Sequence, residues 1–266
     1  MGKVYGGRVE FIKRGVMSVD IREKYCVSDG KNIFGKLYIP DTKAKKYPTV
    51  ILSHGFNSIG DDMADIALTF AENGFLAYTF DYCGGSTRSH SDGKTTEMSI
   101  ISEQNDLKAV IDMMSELDIS DSRQLYLYGE SQGGFVSALT AAQIPDQIAG
   151  EVLLYPAFCI PDNWLKIDPE TMKEPVDFMG MKLSRTYRDG VPDYDVFEAA
   201  GRFHRPVLIH HGDSDGVVDL SYAERLHKAI PQSKLFVYHG EGHGFAPDAR
   251  KLMCERTAEF LDEIAF

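Results

Sequence analysis

The stretch QLYLYGESQGGFVSALTAA, residues 124–142, decides how this chain folds. It opens with an apolar run of strand length and closes with small residues that suit a closely packed helix. Between the two lies a G-x-S-x-G pattern centred on Ser131. A sharp strand-to-helix turn strains its central residue, and flanking glycines let the neighbouring chain approach without Cβ clashes. The pattern predicts that the Ser131 hydroxyl projects from the sheet edge beside a helix N-terminus; the alternative is a serine that only caps the helix.

Short apolar runs alternate with helical patterns over most of the chain. The runs lie at residues 49–53, 75–80, 124–129, 151–156, 206–211 and 234–239. They are apolar on both faces, which is typical of parallel strands covered by helices on each side. The helical spacing i, i+3, i+4, i+7 occurs at Met63, Ile66, Ala67 and Phe70 and again at Leu107, Val110, Ile111 and Met114. The sequence therefore predicts an α/β fold with a mostly parallel central sheet and helices on both faces.

Two segments depart from this alternation. Residues 19–39 resemble two strands around an Asp-Gly turn at residues 28–31, which predicts a hairpin. Residues 156–205 separate two core strands by far more chain than a strand–helix–strand link needs. We expect residues 1–155 and 206–266 to form the core and residues 156–205 to be an inserted lid. The alternative is an irregular pair of surface helices without a functional role.

A serine hydroxyl becomes a good nucleophile when a neighbouring imidazole takes its proton. His243 lies in the glycine-rich loop GEGHGF after the last apolar run, which exposes its ring. A carboxylate must in turn orient the imidazole, and the loop HGDSDGVV offers Asp213 and Asp215. Asp215 lies deeper in the loop and is the expected partner, whereas Asp213 is better placed for local backbone donors as an Asx-turn. The order Ser131, Asp215, His243 is the one expected of a specific fold.

An acyl-transfer transition state also needs hydrogen-bond donors for its oxyanion. The residue after the serine, Gln132, supplies one backbone N–H. The loop SHGFNS at residues 53–58 supplies the other, for which we expect Phe56 N–H, because Gly55 permits close approach of the backbone. His54 in the same loop is interpreted as a structural histidine that is bonded within the loop.

These motifs resemble the α/β-hydrolase family over nearly the whole chain, from Tyr25 to Phe266. The matching pieces are HGF at 54–56, GESQGG at 129–134, HGDSDGVV at 211–218 and GEGHGF at 240–245. The resemblance implies the fold of that family, with its central sheet and inserted lid. It assigns five residues to a reaction: Ser131 as nucleophile, His243 as base and acid, Asp215 as orienting carboxylate, and Phe56 and Gln132 as oxyanion donors.

Within that family the chain is most similar to bacterial cinnamoyl or feruloyl esterases. These enzymes pair the same HGF and S-Q-G-G sequences with a lid of similar length at the same insertion point. The aromatic and methionine content of residues 156–205 suits a flat phenolic acyl group, although such residues also form a lid's own core. We expect four of them to bind substrate: Trp164, Met179, Met181 and Tyr187.

Composition disfavours several other functions. The chain has 28 Lys+Arg against 40 Asp+Glu, a net charge of −12, which disfavours binding to nucleic acid or to an anionic membrane. The four cysteines are far apart and are expected to be free thiols in a reducing compartment. The first twenty residues lack an apolar stretch of signal-peptide length and no run is long enough to span a bilayer, so a cytoplasmic protein is expected. His210 and His211 lie beside Asp213 and Asp215 without a recognised metal-binding spacing, so no metal is expected.

The leading hypothesis is a serine hydrolase that cleaves carboxylic esters through an acyl-enzyme intermediate, without a cofactor. Its partner is a small-molecule ester, of the hydroxycinnamate class or another small ester, and a homodimer is left open. Two alternatives remain. A prolyl-oligopeptidase-like peptidase uses the same three residues but generally carries a large N-terminal propeller, for which too little chain precedes the first core strand. A non-catalytic binding protein on this fold usually lacks one of the three residues, and none is missing here.

Overall fold

The computed structural model describes residues 18–42 and 44–265. The first 17 residues, on which the expectation about a leader segment mainly rests, lie outside the described residues. The strands are β1 (Val19–Glu23), β2 (Cys26–Ser28), β3 (Lys31–Ile33), β4 (Gly35–Pro40), β5 (Tyr47–Ser53), β6 (Leu76–Phe80), β7 (Ser120–Glu130), β8 (Gly150–Leu154), β9 (Val176–Phe178), β10 (Met181–Leu183), β11 (Val207–Gly212) and β12 (Ser233–Tyr238). The helices are α1 (Ala64–Glu72), α2 (Ile100–Glu116), α3 (Gln132–Gln143), α4 (Ile160–Trp164), α5 (Arg185–Asp189), α6 (Val196–Ala200), α7 (Leu220–Ala229) and α8 (Pro247–Ala265). Short 3-10 helices at Gly60–Met63 and Thr95–Glu97 precede α1 and α2.

Eight strands form the central sheet in the order β1-β4-β6-β5-β7-β8-β11-β12. From β6 to β12 every neighbouring pair runs parallel, whereas β4 runs antiparallel to both β6 and β1. On the central strand β5, Ile51 lies opposite Tyr78 of β6 and Leu127 of β7. The predicted mostly parallel sheet is therefore confirmed. Because the parallel strands share one direction, the loops after β5, β7, β8, β11 and β12 all leave from the same edge.

Helices cover both faces of the sheet because side chains alternate along each strand. On β5, Ile51 joins one buried cluster while Val50 and Leu52 join the other. Helices α2 and α3 contribute to the first cluster, and α1 and α8 contribute to the second. The residues predicted to face the core do so: Leu107, Val110, Ile111 and Met114 in the first cluster, and Met63, Ile66, Ala67 and Phe70 in the second.

The N-terminal segment forms four strands, so the prediction of two strands over residues 19–39 was incomplete. Strands β2 and β3 make the predicted hairpin, with Asp29 and Gly30 at positive φ of 48° and 76°. Strands β1 and β4 instead pair with each other in the main sheet. The β1–β4 pair and the β2–β3 hairpin separate next to the Tyr78 side chain. The Tyr78 hydroxyl donates to Lys24 O over 2.8 Å, and a Cβ at Gly35 would lie 2.2 Å from the oxygen of that hydroxyl. A side chain from β6 thus lies where residues 19–39 divide into two strand pairs. The hydrophobic periodicity of residues 19–39 does not reveal this division.

Residues 156–205, here called the insertion, lie between β8 and β11 and contain α4, the β9–β10 hairpin, α5 and α6. The hairpin turns at Met179 and Gly180, which both have positive φ. Its far end is bonded to the segment before α2, because Thr95 Oγ1 donates to Lys182 O and Ser184 Oγ donates to Thr96 O, each over 2.6 Å. Helix α6 packs against α3 and α7 of the core. The insertion is therefore bound to the core through its middle, next to β10, and through its last helix, α6.

All four cysteines lie among the described residues as free thiols, as expected from their spacing. Within residues 18–42 and 44–265, no helix combines the length and the apolar character that crossing a membrane requires.

A buried carboxyl group lies in the middle of the sheet, on β8. Glu151 is 0% exposed and faces the same side as Leu153, and neither of its carboxyl oxygens has a hydrogen-bond partner among the described residues. Burial without a compensating partner raises the pKa of Glu151 from its ordinary 4.5 to about 8. The folded chain therefore holds this proton more tightly than the unfolded chain does.

We predict that Glu151 makes the protein less stable as the pH rises. Its contribution to stability is complete below about pH 4.5 and is lost as the pH rises through about 8, since unfolding lets the carboxyl ionise. When the pH is raised from 6 to 9, the unfolding free energy of the wild type should therefore fall by roughly 2 kcal/mol more than that of Glu151→Gln. Urea denaturation at both pH values measures this difference. Glu259→Gln, at an exposed site on α8, is the matched control, and equal pH dependence in all three proteins would contradict the prediction.

Candidate active site

Ser131 occupies a strained backbone conformation between β7 and α3, with φ 52° and ψ −116°. A non-glycine residue in this region needs support from its surroundings. Three hydrogen bonds give that support: Ser131 N donates to Leu154 O over 2.9 Å, and Ser131 O accepts from Ala157 N at 2.9 Å and from Phe135 N at 3.1 Å. The end of β8 and the start of the insertion therefore hold the strand-to-helix turn between β7 and α3 that carries Ser131, here called the elbow.

The glycines on either side of Ser131 are required by close backbone contacts. A Cβ at Gly133 would lie 2.2 Å from Ser53 O, at the end of β5, and a Cβ at Gly129 would lie 2.6 Å from Gly133 O. Real Cβ atoms do not approach backbone oxygens so closely, so both positions must lack a side chain. The G-x-S-x-G spacing thus brings β5, β7 and α3 together at a separation that larger residues would prevent.

The structure brings Ser131, His243 and Asp215 together. His243 Nε2 lies 2.9 Å from Ser131 Oγ, and His243 Nδ1 lies 2.8 Å from Asp215 Oδ2. The Asp215 side chain is 0% exposed and that of His243 is 20% exposed. Burial acts to raise the pKa of Asp215, but hydrogen bonds from His243 and from two backbone amides hold that pKa below its ordinary value. Since an ionised carboxylate only accepts hydrogen bonds, Nδ1 carries the proton and Nε2 is free to accept the Ser131 hydroxyl.

Asp215 has its expected partner, His243, but the remaining hydrogen bonds of the two candidate aspartates differ from the expected ones. Asp215 itself makes the Asx-type turn, because its Oδ1 accepts from the amides of Val217 at 2.8 Å and Val218 at 2.9 Å while its Oδ2 faces His243. The expectation that Asp213 makes this turn was wrong. Asp213 accepts instead from His239 Nδ1 and Gly240 N, each at 2.7 Å, in the loop after β12. One carboxylate can do both tasks because its two oxygens face different donors.

Of the two backbone amides expected to bind an oxyanion, that of Gln132 directly follows Ser131, and that of Phe56 belongs to the loop after β5. Gln132 begins α3, so its N–H has no acceptor within the helix. The loop before Phe56 passes close to the serine, since a Cβ at Gly55 would lie 3.3 Å from Ser131 Cβ. His54 is structural, as interpreted: its Nδ1 donates to Gly55 O over 2.8 Å, and its Nε2 accepts from a backbone amide of the loop after β6.

The four residues expected to bind substrate differ widely in exposure. Met179 is 60% exposed at the hairpin turn, whereas Met181 is fully buried in the core cluster. Trp164 and Tyr187 are 3% and 1% exposed, and the Tyr187 hydroxyl donates to Gln132 Oε1 over 2.6 Å. Only Met179 of the four therefore presents a large surface to a ligand in this arrangement.

Sequence reasoning missed Tyr155, which packs directly on the imidazole. Its ring centroid lies 4.4 Å from that of His243, and its hydroxyl donates to Glu130 Oε2 over 3.4 Å. Tyr155 also has a positive φ of 37°, held by a bond from its N–H to His210 O of 2.8 Å. It ends an ordinary apolar run, so the sequence carries no signal that sets it apart from the strand residues before it.

The paired histidines on β11 have partners within the protein. His210 lies between Tyr238 Oη at 2.9 Å and Thr257 Oγ1 at 3.1 Å, and His211 Nε2 donates to Val218 O over 2.8 Å. Across residues 18–42 and 44–265, three or more histidine, cysteine or acidic side chains do not gather into a possible metal site. These imidazoles serve the packing of β11 against α8 and the following loop.

A mostly parallel sheet whose serine projects from a strand-to-helix elbow, with an imidazole and a carboxylate on later loops of the same edge, is the arrangement of the α/β-hydrolases. The chain has that fold. It belongs to the family described as serine aminopeptidase, S33, which matches residues 44–190, more than half of its length. The chain is therefore a hydrolase of the α/β-hydrolase superfamily, and the fold expected from the sequence is confirmed.

Known proteins similar to this chain include Est1E from Butyrivibrio proteoclasticus, solved with ferulic acid bound. That structure is 27% identical, covers 91% of this chain and 99% of its own, and superimposes with a TM-score of 0.84. An uncharacterized protein of Mycobacterium tuberculosis is 27% identical over 240 residues, which are 89% of this chain and 77% of that protein. The uncharacterized hydrolase YugF of Bacillus subtilis is 25% identical over 202 residues, 61% of this chain and 73% of YugF. The predicted resemblance to α/β-hydrolase esterases is confirmed.

We predict that Gly133→Ala destabilises the protein, because the added Cβ would lie 2.2 Å from a backbone oxygen that cannot move independently of β5. The unfolding free energy should fall by about 2 kcal/mol or more. Gly216→Ala is the control, since its Cβ would meet nothing within 4 Å. Urea denaturation of both variants measures the difference, and equal stability of Gly133→Ala and Gly216→Ala would show that the elbow tolerates a side chain.

Proposed function

We propose that this hydrolase cleaves carboxylic esters through an acyl-enzyme intermediate, with Ser131 as nucleophile, His243 as base and acid, and Asp215 as the orienting carboxylate. The contact that carries the proposal is the continuous hydrogen-bonded line from Ser131 Oγ through His243 to Asp215 Oδ2, at 2.9 Å and 2.8 Å. The strained backbone of Ser131 supports it further, since such strain concentrates at functional sites. No cofactor enters the scheme.

In the first half of the reaction, Ser131 Oγ attacks the ester carbonyl carbon while its proton passes to His243 Nε2. The negative charge on the carbonyl oxygen is stabilised by the backbone N–H groups of Phe56 and Gln132. The tetrahedral intermediate then expels the alkoxide, which takes the proton from His243 and leaves as the alcohol. Asp215 stabilises the imidazolium that forms between these two transfers.

In the second half, water attacks the acyl-enzyme carbonyl and gives one proton to His243. The same two amides stabilise the second oxyanion. Collapse breaks the bond to Ser131 Oγ, which recovers the proton from His243, and the carboxylic acid is released. The insertion acts as a lid in this scheme, because Phe178 and Tyr187 lie against Phe56 with ring centroids 5.3 Å and 6.2 Å away.

A hydroxycinnamate ester is the proposed substrate class. Est1E, 27% identical and similar over 91% of this chain, binds ferulic acid in its solved complex. The loop that carries Phe56 is half-buried beneath aromatic side chains of the insertion, and exposed Met179 lies beside Asn57, whose Nδ2 donates to Met179 O over 3.4 Å. An aromatic and thioether surface of this kind favours a flat aryl acyl group over a flexible alkyl chain.

The family description gives a specific reason to keep a peptidase as the second candidate. Cleavage of an aminoacyl amide would use the same three side chains and the same two amides. It would differ in the leaving group, which departs as an amine after His243 protonates its nitrogen. An aminoacyl p-nitroanilide therefore tests this candidate in the same assay.

We predict that Ser131→Ala lowers kcat for p-nitrophenyl butyrate at least about 10⁴-fold, because it removes the nucleophile. Asp215→Asn should lower kcat by about 10⁴-fold, because it no longer holds the imidazole in the required tautomer. Asp213→Asn is the matched control and should keep activity within a fewfold, since its carboxylate contacts His239 and not His243. Full activity of Ser131→Ala would end the proposal, as would a lack of fluorophosphonate labelling at Ser131 in the wild type.

We predict that methyl ferulate has a higher kcat/KM than methyl butyrate, by at least tenfold, because Phe178 and Met179 of the insertion lie beside the Phe56 and Asn57 loop. Both esters share the methanol leaving group, so the comparison isolates the acyl group. The rate of hydrolysis is measured from the protons released as the carboxylic acid forms. A higher kcat/KM for methyl butyrate would exclude the hydroxycinnamate assignment, and turnover of alanyl p-nitroanilide alone would favour the peptidase.

A further inference from the structure

The insertion contacts both residues whose backbone amides are proposed to bind the oxyanion. The Phe178 ring of β9 lies 5.3 Å from that of Phe56, and the Tyr187 hydroxyl of α5 donates to Gln132 Oε1 over 2.6 Å. Trp164 joins the two contacts, with its ring 5.2 Å from Phe178 and 4.6 Å from Tyr187. One connected aromatic cluster of the insertion therefore contacts the side chains of both residues.

The Gln132 side chain is fixed at both of its polar atoms. Its Nε2 donates to Glu103 Oε2 of α2 over 2.8 Å, while its Oε1 accepts from Tyr187. Gln132, Glu103 and Tyr187 are 2%, 1% and 1% exposed, so the bonds are shielded from water and stronger than surface hydrogen bonds. Because Gln132 is the first residue of α3, anchoring its side chain restricts movement of the backbone that carries its N–H.

The protonation states suit a stable chain of donors and acceptors. Burial raises the pKa of Tyr187 well above its ordinary value, so the phenol keeps the proton that it donates. Burial also raises the pKa of Glu103 to about 8, and the nearby Asp106 carboxylate raises it further, while the Gln132 amide acts to lower it. A neutral Glu103 at pH 7 accepts from Gln132 without adding negative charge beside a developing oxyanion.

We infer that Tyr187 is a positioning residue, and that through Gln132 it couples docking of the insertion to assembly of the oxyanion site. This inference rests on the proposed ester hydrolysis and goes beyond it, because it gives Tyr187 an effect on kcat and no role in substrate binding. The Tyr187 hydroxyl has its partner within the protein and its ring is buried, so neither is presented to a substrate. When α5 is displaced, Gln132 loses one of its two anchors.

The first test is Tyr187→Phe, which removes only the hydroxyl. The value of kcat should fall roughly tenfold for both p-nitrophenyl butyrate and methyl ferulate, with KM changed less than twofold, because the lost interaction acts in the transition state. Tyr194→Phe is the matched control, since this tyrosine of the same insertion is 49% exposed, and it should keep wild-type kcat. A rise in KM for methyl ferulate alone would instead identify Tyr187 as a substrate contact and overturn the inference.

The second test is a double-mutant cycle with Gln132→Met, which keeps the backbone N–H and removes the side-chain amide. This variant should lose about as much kcat as Tyr187→Phe, and the double variant should lose no more than either. Additive losses would show that Tyr187 acts independently of Gln132, which contradicts the coupling. Equal far-UV circular dichroism of all variants checks that they are folded.

The third test does not depend on activity. Amide hydrogen exchange of residues 131–137, where Ser131 N donates to Leu154 O, should be faster in Tyr187→Phe than in the wild type or Tyr194→Phe. Unchanged exchange together with unchanged kcat would overturn this inference alone. Full activity of Ser131→Ala would overturn the proposed function and leave the exchange result to decide the role of Tyr187, so the two failures are distinguishable.

Discussion

The site depends on one constrained residue, Ser131. Its positive φ is held by hydrogen bonds to the last residue of β8 and to the loop that follows β8. Its N–H is bound by Leu154 at the end of β8, and its carbonyl binds Ala157 at the start of the insertion. These bonds balance a conformation that costs on the order of 1–3 kcal/mol for a residue with a side chain. The elbow, β8 and the insertion are therefore fixed as one unit. Any rearrangement of the chain after β8 must also disturb the serine.

Parallel strand order explains how distant residues converge on that elbow. The adjacent strands β5, β7, β8, β11 and β12 all end at one edge of the sheet, and each is followed by one part of the site. In sheet order these parts are the Phe56 loop, Ser131, Tyr155, Asp215 and His243. Since neighbouring strands are about 5 Å apart, five consecutive strands bring their loops within reach of a small substrate.

Much of this arrangement could be predicted from the sequence because its signals are local. The elbow, the glycine-rich loop of His243 and the apolar strands each carry their pattern within a few residues. The partners of Asp213 could not be predicted, because they come from the loop after β12 and depend on which oxygen faces which donor. The division of residues 19–39 into two strand pairs depends on Tyr78, which is distant in sequence. In the irregular insertion no periodicity indicates direction, so the buried Tyr187 and the exposed Met179 could not be told apart.

Burial and hydrogen bonding act in different proportions on the acidic groups near Ser131 in this chain of net charge −12. Glu130, next to the serine, accepts from Tyr128 at 2.9 Å and lies 3.8 Å from the Arg250 guanidinium; burial raises its pKa, while the Arg250 charge acts to lower it. Burial raises the pKa of Glu103 to about 8, which favours its neutral form at pH 7. Asp215 differs from both, because hydrogen bonds hold its pKa below the ordinary value and keep it ionised beside the imidazole. Burial acts to raise the pKa of all three acids, and the hydrogen bonds that Asp215 receives from His243 and two backbone amides outweigh it at that position alone among the three.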